Sequence, residues 1–195
     1  MTIAKSTYNL TVNVDISILM EFIKKNDYRV YPTFTWIVSR AINNHIEFRM
    51  GYDKENNLGY YDVVHPDYSV LNDKTKIMDT LCTEYNNEFS TFYKAMVNDL
   101  DNYKNFGMKT ERKRDSFIVS CIPWLTYSSF NVSNESGYQF LFPMVTWGKY
   151  FDVEEKTLMP VTLQIHHAVA DGYHCSLFYE DLERVLKNPE EYLRS

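Results

Sequence analysis

His167 stands four residues ahead of Asp171, with His166 immediately before it and Gly172 immediately after the aspartate. An imidazole can take or give a proton near neutral pH, which suits a general base or acid. A carboxylate a few residues away can orient such a group. The same residues also fit a polar strand end followed by an aspartate that caps a helix.

The flanking residues say where this string must sit. Val161 to Ile165 is an apolar, β-rich run. After Gly172 the period changes: Leu177, Phe178, Leu182, Val185 and Leu186 recur at helical spacing, with Glu180, Asp181, Glu183 and Arg184 between them. The histidine pair therefore lies where a strand gives way to a helix, and Gly172 lets the backbone turn there without a Cβ clash. A loop held by rigid elements on both sides is a good place for catalysis.

The rest of the chain supplies the elements around it. Tyr8 to Asp15 alternates as a strand, with Leu10, Val12 and Val14 on one face. Asp15 or Ser17 caps a helix through Leu19, Phe22 and Ile23, which Asn26-Asp27 breaks. Pro32 opens a more buried helix through Phe34, Trp36, Ile37, Val38, Ala41 and Ile42. Arg49 to Tyr52 and Leu58 to Tyr61 read as strands around the polar turn at residues 53–57, and Tyr68 to Leu71 as another strand. Phe89, Phe92, Met96, Val97 and Leu100 define a helix over Glu88 to Tyr103. Residues 105–115 read as a charged, solvated excursion. Ser116 to Ile122 and Phe140 to Trp147 are further strands. Helices alternating with strands that vary in direction predict an α/β fold, a two-layer sandwich of a mixed sheet with helices. With no repeat, linker or low-complexity segment, residues 1–195 read as one domain.

The 195 residues can bury a sizeable core, and 16 Tyr and 12 Phe give it an aromatic character. A net charge of −6 argues against a nucleic-acid partner, since a phosphate backbone needs a basic surface. No apolar run is long enough to span a membrane, and the N-terminus carries no secretory signal. Cys82, Cys121 and Cys175 match neither a zinc pattern nor a disulfide framework, so no metal site is expected and the thiols read as free in a reducing cytoplasm. Asn131-Val132-Ser133 and Asn134-Glu135-Ser136 are glycosylation sequons by pattern only, because a cytoplasmic chain does not meet the machinery.

The full string Gln164-Ile165-His166-His167-Ala168-Val169-Ala170-Asp171-Gly172-Tyr173-His174 resembles the active-site motif of the CoA-dependent acyltransferases, a superfamily holding chloramphenicol acetyltransferases, dihydrolipoyl acyltransferase domains and peptide-synthetase condensation domains. Further segments resemble the chloramphenicol acetyltransferase family in the same order: Tyr31-Pro32, Glu47-Phe48-Arg49, Leu58-Gly59-Tyr60-Tyr61-Asp62, Pro66-Asp67-Tyr68-Ser69-Val70, Val119-Ser120-Cys121-Ile122-Pro123-Trp124, Ser129-Phe130-Asn131 and Phe142-Pro143-Met144-Val145-Thr146-Trp147-Gly148-Lys149-Tyr150. The likeness runs from about Tyr8 onward.

What the resemblance implies is an acetyltransferase using acetyl-CoA, with chloramphenicol as acceptor, working as a homotrimer with its active site between subunits. It makes His167 the general base, Ser120 the hydroxyl donor to the oxyanion, Thr146 the group that orders a water beside it, and Asp171 a structural partner. It places Tyr8, Met78, Thr80, Phe130 and Val132 around the acceptor, and Trp124, Lys149 and Tyr150 against CoA. Each side chain also suits a plainer role: Ser120 as a small strand residue, Thr146 as a β-former, the aromatics as core. The related readings are an O-acetyltransferase with another hydroxyl acceptor, and a non-catalytic trimeric relative. The family pattern also has about 25 more residues before the first strand, with a Trp-x-Arg segment. Its arginine pairs with the motif aspartate. Without it, Asp171 is expected to lack its usual partner unless Lys5 or another cation substitutes, and the acceptor pocket is expected to be more open.

Overall fold

A computed structural model describes residues 6–111, 113–132 and 140–194. Lys5 and the second sequon lie outside the described residues. Period-two alternation builds β1 (Thr7–Asp15), in which Val14 is buried, Val12 half-buried and Leu10 near the sheet edge partly exposed. Two helices follow, α1 (Ser17–Lys25) and α2 (Val30–Asn43), then a 3-10 turn at Ile46–Arg49. A small ribbon pairs β2 (Met50–Tyr52) with β3 (Leu58–Tyr60). The order continues with β4 (His65–Leu71), β5 (Met78–Cys82), α3 (Phe89–Phe106), β6 (Ser116–Ile122), β7 (Met144–Gly148), β8 (Phe151–Val153), β9 (Lys156–His166), α4 (Gly172–Lys187) and α5 (Pro189–Tyr192).

The main sheet runs β1-β9-β7-β6-β4-β5, with β8 paired to β9 beyond the end of β7. Only β4–β6 and β6–β7 are parallel, so the sheet is mixed, as the alternation of helices and strands predicts. One face carries Tyr68, Val70, Phe117, Val119, Val145, Trp147, Val161, Leu163 and Ile165, all buried under the helices. The other face is polar, with Ser120, Thr146 and Thr162 side by side.

Helix α2 forms against its own propensities. Val30, Thr33, Thr35, Ile37 and Val38 are β-branched, each costing up to about 0.7 kcal/mol relative to Ala. Burial reverses this: Phe34, Trp36, Ile37, Val38 and Ile42 are at most 1 % exposed, and each contributes about 1.5–3 kcal/mol. Its buried hydroxyls are satisfied inside the helix, Thr33, Thr35 and Ser39 each donating to the carbonyl four residues back at 2.7–2.8 Å. The helix begins at Val30, two residues before the proline expected to open it. Pro32 is the third helical residue, where the missing N–H belongs to the unpaired first turn.

Helix α4 is pinned to the strands that frame the histidine turn. Tyr179 sets its hydroxyl 2.7 Å from the Leu10 carbonyl and 3.0 Å from that of Val161, and accepts the Leu163 N–H at 3.1 Å. The segment between α3 and β6 is less free than a solvated excursion. Lys109 pairs with Asp79 of β5, Lys113 pairs with Glu84, and the Thr110 hydroxyl accepts the Cys82 N–H. The segment thus straps the outer strand of the sheet, whose unpaired edge needs cover. Among the described residues, no helix is long and apolar enough to cross a membrane.

Candidate active site

The turn from β9 into α4 holds both histidines, and it gives them different work. The chain leaves β9 paired to β1 through Thr7 opposite His166, and the His167 N–H donates to the Ser6 carbonyl at 2.8 Å. The exposed His167 ring stands edge-on to Tyr8, centroids 4.7 Å apart. Its Nδ1 lies 3.1 Å from the Ala170 carbonyl oxygen, which can only accept. Nδ1 therefore carries the proton and Nε2 presents a free lone pair.

His166 faces inward, 4 % exposed, and its Nδ1 accepts the Ala168 N–H at 3.0 Å. Burial, with the neighbouring His167 adding to it, lowers its pKa and keeps it neutral. His65 behaves alike: its Nδ1 accepts the Tyr85 N–H at 2.9 Å, and burial lowers its pKa against the opposing pull of Asp115. A depressed histidine pKa means the unfolded chain binds protons that the folded one refuses. Stability is then full well above about pH 6.5 and is lost progressively as pH falls below that value and through the lower folded pKa. The midpoint of thermal unfolding should drop between about pH 7.5 and about pH 5.5, and drop less in His65→Asn/His166→Asn. A double variant with the full wild-type slope would assign the loss to other groups.

Asp171 is the N-cap of α4. Its Oδ1 accepts from the backbone N–H of Tyr173 at 3.0 Å and of His174 at 3.4 Å, and lies 2.9 Å from His174 Nδ1. Desolvation pushes its pKa up, but these contacts outweigh it and hold the carboxyl below the ordinary value. The side chain is 51 % exposed. The expected charge starved of a partner is therefore absent: the backbone N–H groups of Tyr173 and His174 meet it and solvent reaches the rest. Gly172 is not what lets the backbone turn here, contrary to expectation. It sits outside the left-handed region, and a Cβ on it would meet only Tyr8 Cε1 at 3.9 Å. The extended backbone of Asp171 makes the turn.

Ser120 and Thr146 lie elsewhere, on the polar face of the sheet. Register places them opposite one another on β6 and β7. The row continues outward, Thr162 on β9 opposite Thr146 and Thr11 on β1 opposite Thr162, with the last two hydroxyls 2.7 Å apart. On the other side Ser69 of β4 reaches Ser120, Oγ to Oγ 3.4 Å, and Thr80 of β5 stands opposite Ser69. Six hydroxyls thus cross six strands in one line. Thr146 is 1 % exposed and its Oγ1 has no partner among the described residues, so it can accept or donate to a water or a bound group.

Tyr127, which sequence reading did not single out, lies over this row and donates to the Thr146 carbonyl at 2.8 Å. Phe130 packs on Tyr127, centroids 5.7 Å apart. Val132 is held through its backbone by the Gln164 side chain, at 2.9 and 3.3 Å. Thr80 is on the row itself. Met78 is exposed on β5, and Tyr8 instead packs on the histidine turn.

Within one chain the two groups are far apart. His167 follows Thr162 by five residues along β9, roughly 16 Å at about 3.3 Å per residue. Ser120 lies two strands beyond Thr162, so this chain alone does not bring His167 onto Ser120.

Between α3, the start of α2 and the ends of β4, β6 and β7 opens a cavity of about 940 Å³. Trp124, Lys149 and Tyr150 all line it and all are exposed. Arg29, Lys74 and Lys104 add positive charge, but Arg29 is spent on Asp101 through two contacts of 2.8 and 3.2 Å. Cys121 is part of the wall. Burial pushes its thiol up to about 12, so it is inert at neutral pH.

Mixed sheet, helical layer and histidine turn together define a CoA-dependent acyltransferase-like fold. It superposes on a chloramphenicol acetyltransferase structure with TM-score 0.81 at 23 % identity, covering 92 % of this chain and 88 % of that one. The dihydrolipoamide acetyltransferase of Azotobacter vinelandii superposes with TM-score 0.74 at 13 % identity, covering 98 % and 85 %. The family model described as chloramphenicol acetyltransferase matches residues 1–183. Curated chloramphenicol acetyltransferases are 35 % identical over 194 residues in Clostridium butyricum and 36 % over 192 in Staphylococcus intermedius, covering 98 % and 97 % of this chain and 89 % of each relative. The chain belongs to the chloramphenicol acetyltransferase family, and it is an acyltransferase.

Proposed function

We propose that this chain, as one acetyltransferase domain, moves the acetyl group of acetyl-CoA to a hydroxyl of chloramphenicol by direct transfer in a ternary complex. The observation that carries this is the His167 ring, exposed and committed to the tautomer whose Nε2 is free. Nε2 takes the acceptor proton as the hydroxyl oxygen attacks the thioester carbonyl. The oxyanion that develops accepts from the Ser120 hydroxyl, with a water on Thr146 beside it. Collapse breaks the C–S bond, the leaving thiolate takes the proton from the imidazolium, and an acetyl ester and free CoA remain. Ser120 is a donor throughout and forms no acyl-enzyme.

The separation of His167 from Ser120 within one chain supports a homotrimer in which His167 of one subunit faces Ser120 and Thr146 of the next. The row of hydroxyls under Tyr127 and Phe130 would floor the acceptor pocket, with Thr80 and Val132 at its sides, Met78 near the cavity mouth and Tyr8 beside the base. The cavity supports acetyl-CoA binding: its size suits a long, flexible thioester, and Lys149 with the Trp124 and Tyr150 rings suits phosphate and adenine. Acetyl-CoA and three unpaired thiols both fit a cytoplasmic enzyme.

The test is thiol release on mixing the chain with acetyl-CoA and chloramphenicol, beside sedimentation to count subunits. Release only when chloramphenicol is present supports the reading. Acetyl-CoA binding with no release points to another hydroxyl acceptor, and no binding of either points to a non-catalytic relative. Lys149→Ala and Trp124→Ala should each raise the KM for acetyl-CoA by about tenfold while kcat and the acceptor KM stay near wild type. A change confined to the acceptor KM would move the cavity to the other substrate.

A further inference from the structure

We propose that His174, backed by Glu47, is the positioning residue that aims His167 for proton transfer. This rests on reading His167 as the base. The link is a single peptide unit. The Ala170 carbonyl accepts from His167 Nδ1 at 3.1 Å, and the N–H of that same unit, on Asp171, points at His174 Nδ1 at 3.2 Å. A peptide unit is rigid and planar, and in the trans form its C=O and N–H point in opposite directions. His167 and His174 therefore hold the two ends of one lever, and a tilt at either end turns the other.

The far side of His174 faces a carboxylate. Its Nε2 lies 3.7 Å from Glu47 Oε1, on the 3-10 turn that follows α2. That turn is fixed by Phe48, which is fully buried and packs on Phe178 of α4, centroids 6.2 Å apart. Among the described residues, the Asp171 carboxylate, the Glu47 carboxylate and the Tyr173 ring, 5.6 Å away, lie beside the ring. Nδ1 is within reach of both the Asp171 N–H and its Oδ1, and having one lone pair or one proton it serves one of them at a time. In either state it holds residue 171. With Nδ1 accepting, Nε2 carries the proton toward Glu47 and the lever is gripped.

A capping residue that only stabilises α4 would look alike in a static structure, so the experiment must separate aim from stability. His174→Leu keeps the volume and removes both ring nitrogens. It should lower kcat by about 10- to 100-fold with both KM values within about twofold of wild type, at a temperature where the variant is fully folded. His174→Gln, whose amide oxygen can accept the Asp171 N–H as in a capping box, should recover most of the rate. Added to His167→Ala, His174→Leu should cost nothing further, because its only route to the chemistry is through that ring. Ring nitrogen NMR of His167 gives a readout that needs no acceptor: the Nδ1–H tautomer should dominate in wild type and mix with the other in His174→Leu. A folded His174→Leu with wild-type kcat, a loss that persists in the His167→Ala background, or unchanged His167 tautomers would each overturn the proposal. Failure of the functional reading looks different: in that case wild type transfers no acetyl group, or His167→Ala leaves transfer intact, while the NMR result still decides the lever.

Discussion

His167→Ala should leave a folded protein whose turnover is lower by several orders of magnitude. The size follows from two losses at once. Removing a general base alone costs roughly 10²- to 10⁴-fold, and no other described side chain on the turn offers a free basic nitrogen to the acceptor. In the proposed mechanism the ring is also the near wall against which the hydroxyl is held, so positioning falls with it. Folding should survive. The side chain is exposed, its one hydrogen bond goes to the Ala170 carbonyl, and the main-chain bond from its N–H to Ser6 is untouched. His166→Ala is the informative contrast. It empties a buried site and frees the Ala168 N–H, so it should lower the midpoint of thermal unfolding more than His167→Ala, yet spare far more of kcat. Steady-state rates and thermal melts on the two variants check this. Equal losses of kcat in two well-folded variants would show that the roles are wrongly divided.

The same contrast shows what a sequence carries. The change of period from strand to helix made legible only that the pair lies at a junction; the division of roles between the two histidines came from the resemblance of the whole string to the acyltransferase motif. The strand at β1 and the helices α3 and α4 were legible because their apolar spacing is local. What was not legible depends on pairing across long separations. Ser120, Thr146 and Thr162 line up only through the registers of β6, β7 and β9. Ser69 reaches Ser120 from 51 residues away. Strand β5 reads Met-Asp-Thr-Leu-Cys, with no clean alternation, because Asp79 is paid for by Tyr103 and Lys109 rather than by solvent. The start of β9 was hidden by Pro160, a residue that argues against a central strand. It is tolerated because the β7 ladder begins only at Val161, so the missing N–H costs no bond on that side. The turn before β9 is formed by Glu154 at φ 53°, without the glycine or asparagine that marks such turns. His174 belongs to the motif string, but its hold on residue 171 exists only through the first turn of α4, which the string alone does not show.

Ser120→Ala should lower kcat by about 10²-fold or more while both KM values stay close to wild type. Loss of one preorganised donor to a developing oxyanion costs about 2.7–4 kcal/mol in the transition state, and little in the ground state, where the carbonyl carries less charge. The setting of Ser120 favours that magnitude. Its hydroxyl sits on a central strand between β4 and β7, so backbone motion cannot blur its aim. Ser69 Oγ lies 3.4 Å away and can lend a proton to its lone pair, which leaves the Ser120 proton free to point outward. Thr146 across the ladder carries a hydroxyl with no partner among the described residues, which can hold a water there in the proposed mechanism. The strand itself should tolerate the change, because Ser120 is only partly buried and alanine fits wherever serine does. Kinetics with each substrate varied in turn, together with a melt, separate the cases. A variant with normal kcat would reduce Ser120 to a packed strand residue. A rise in the acceptor KM with kcat unchanged would instead place its hydroxyl on the bound acceptor, where it would contribute equally to ground and transition states and nothing to the chemical step.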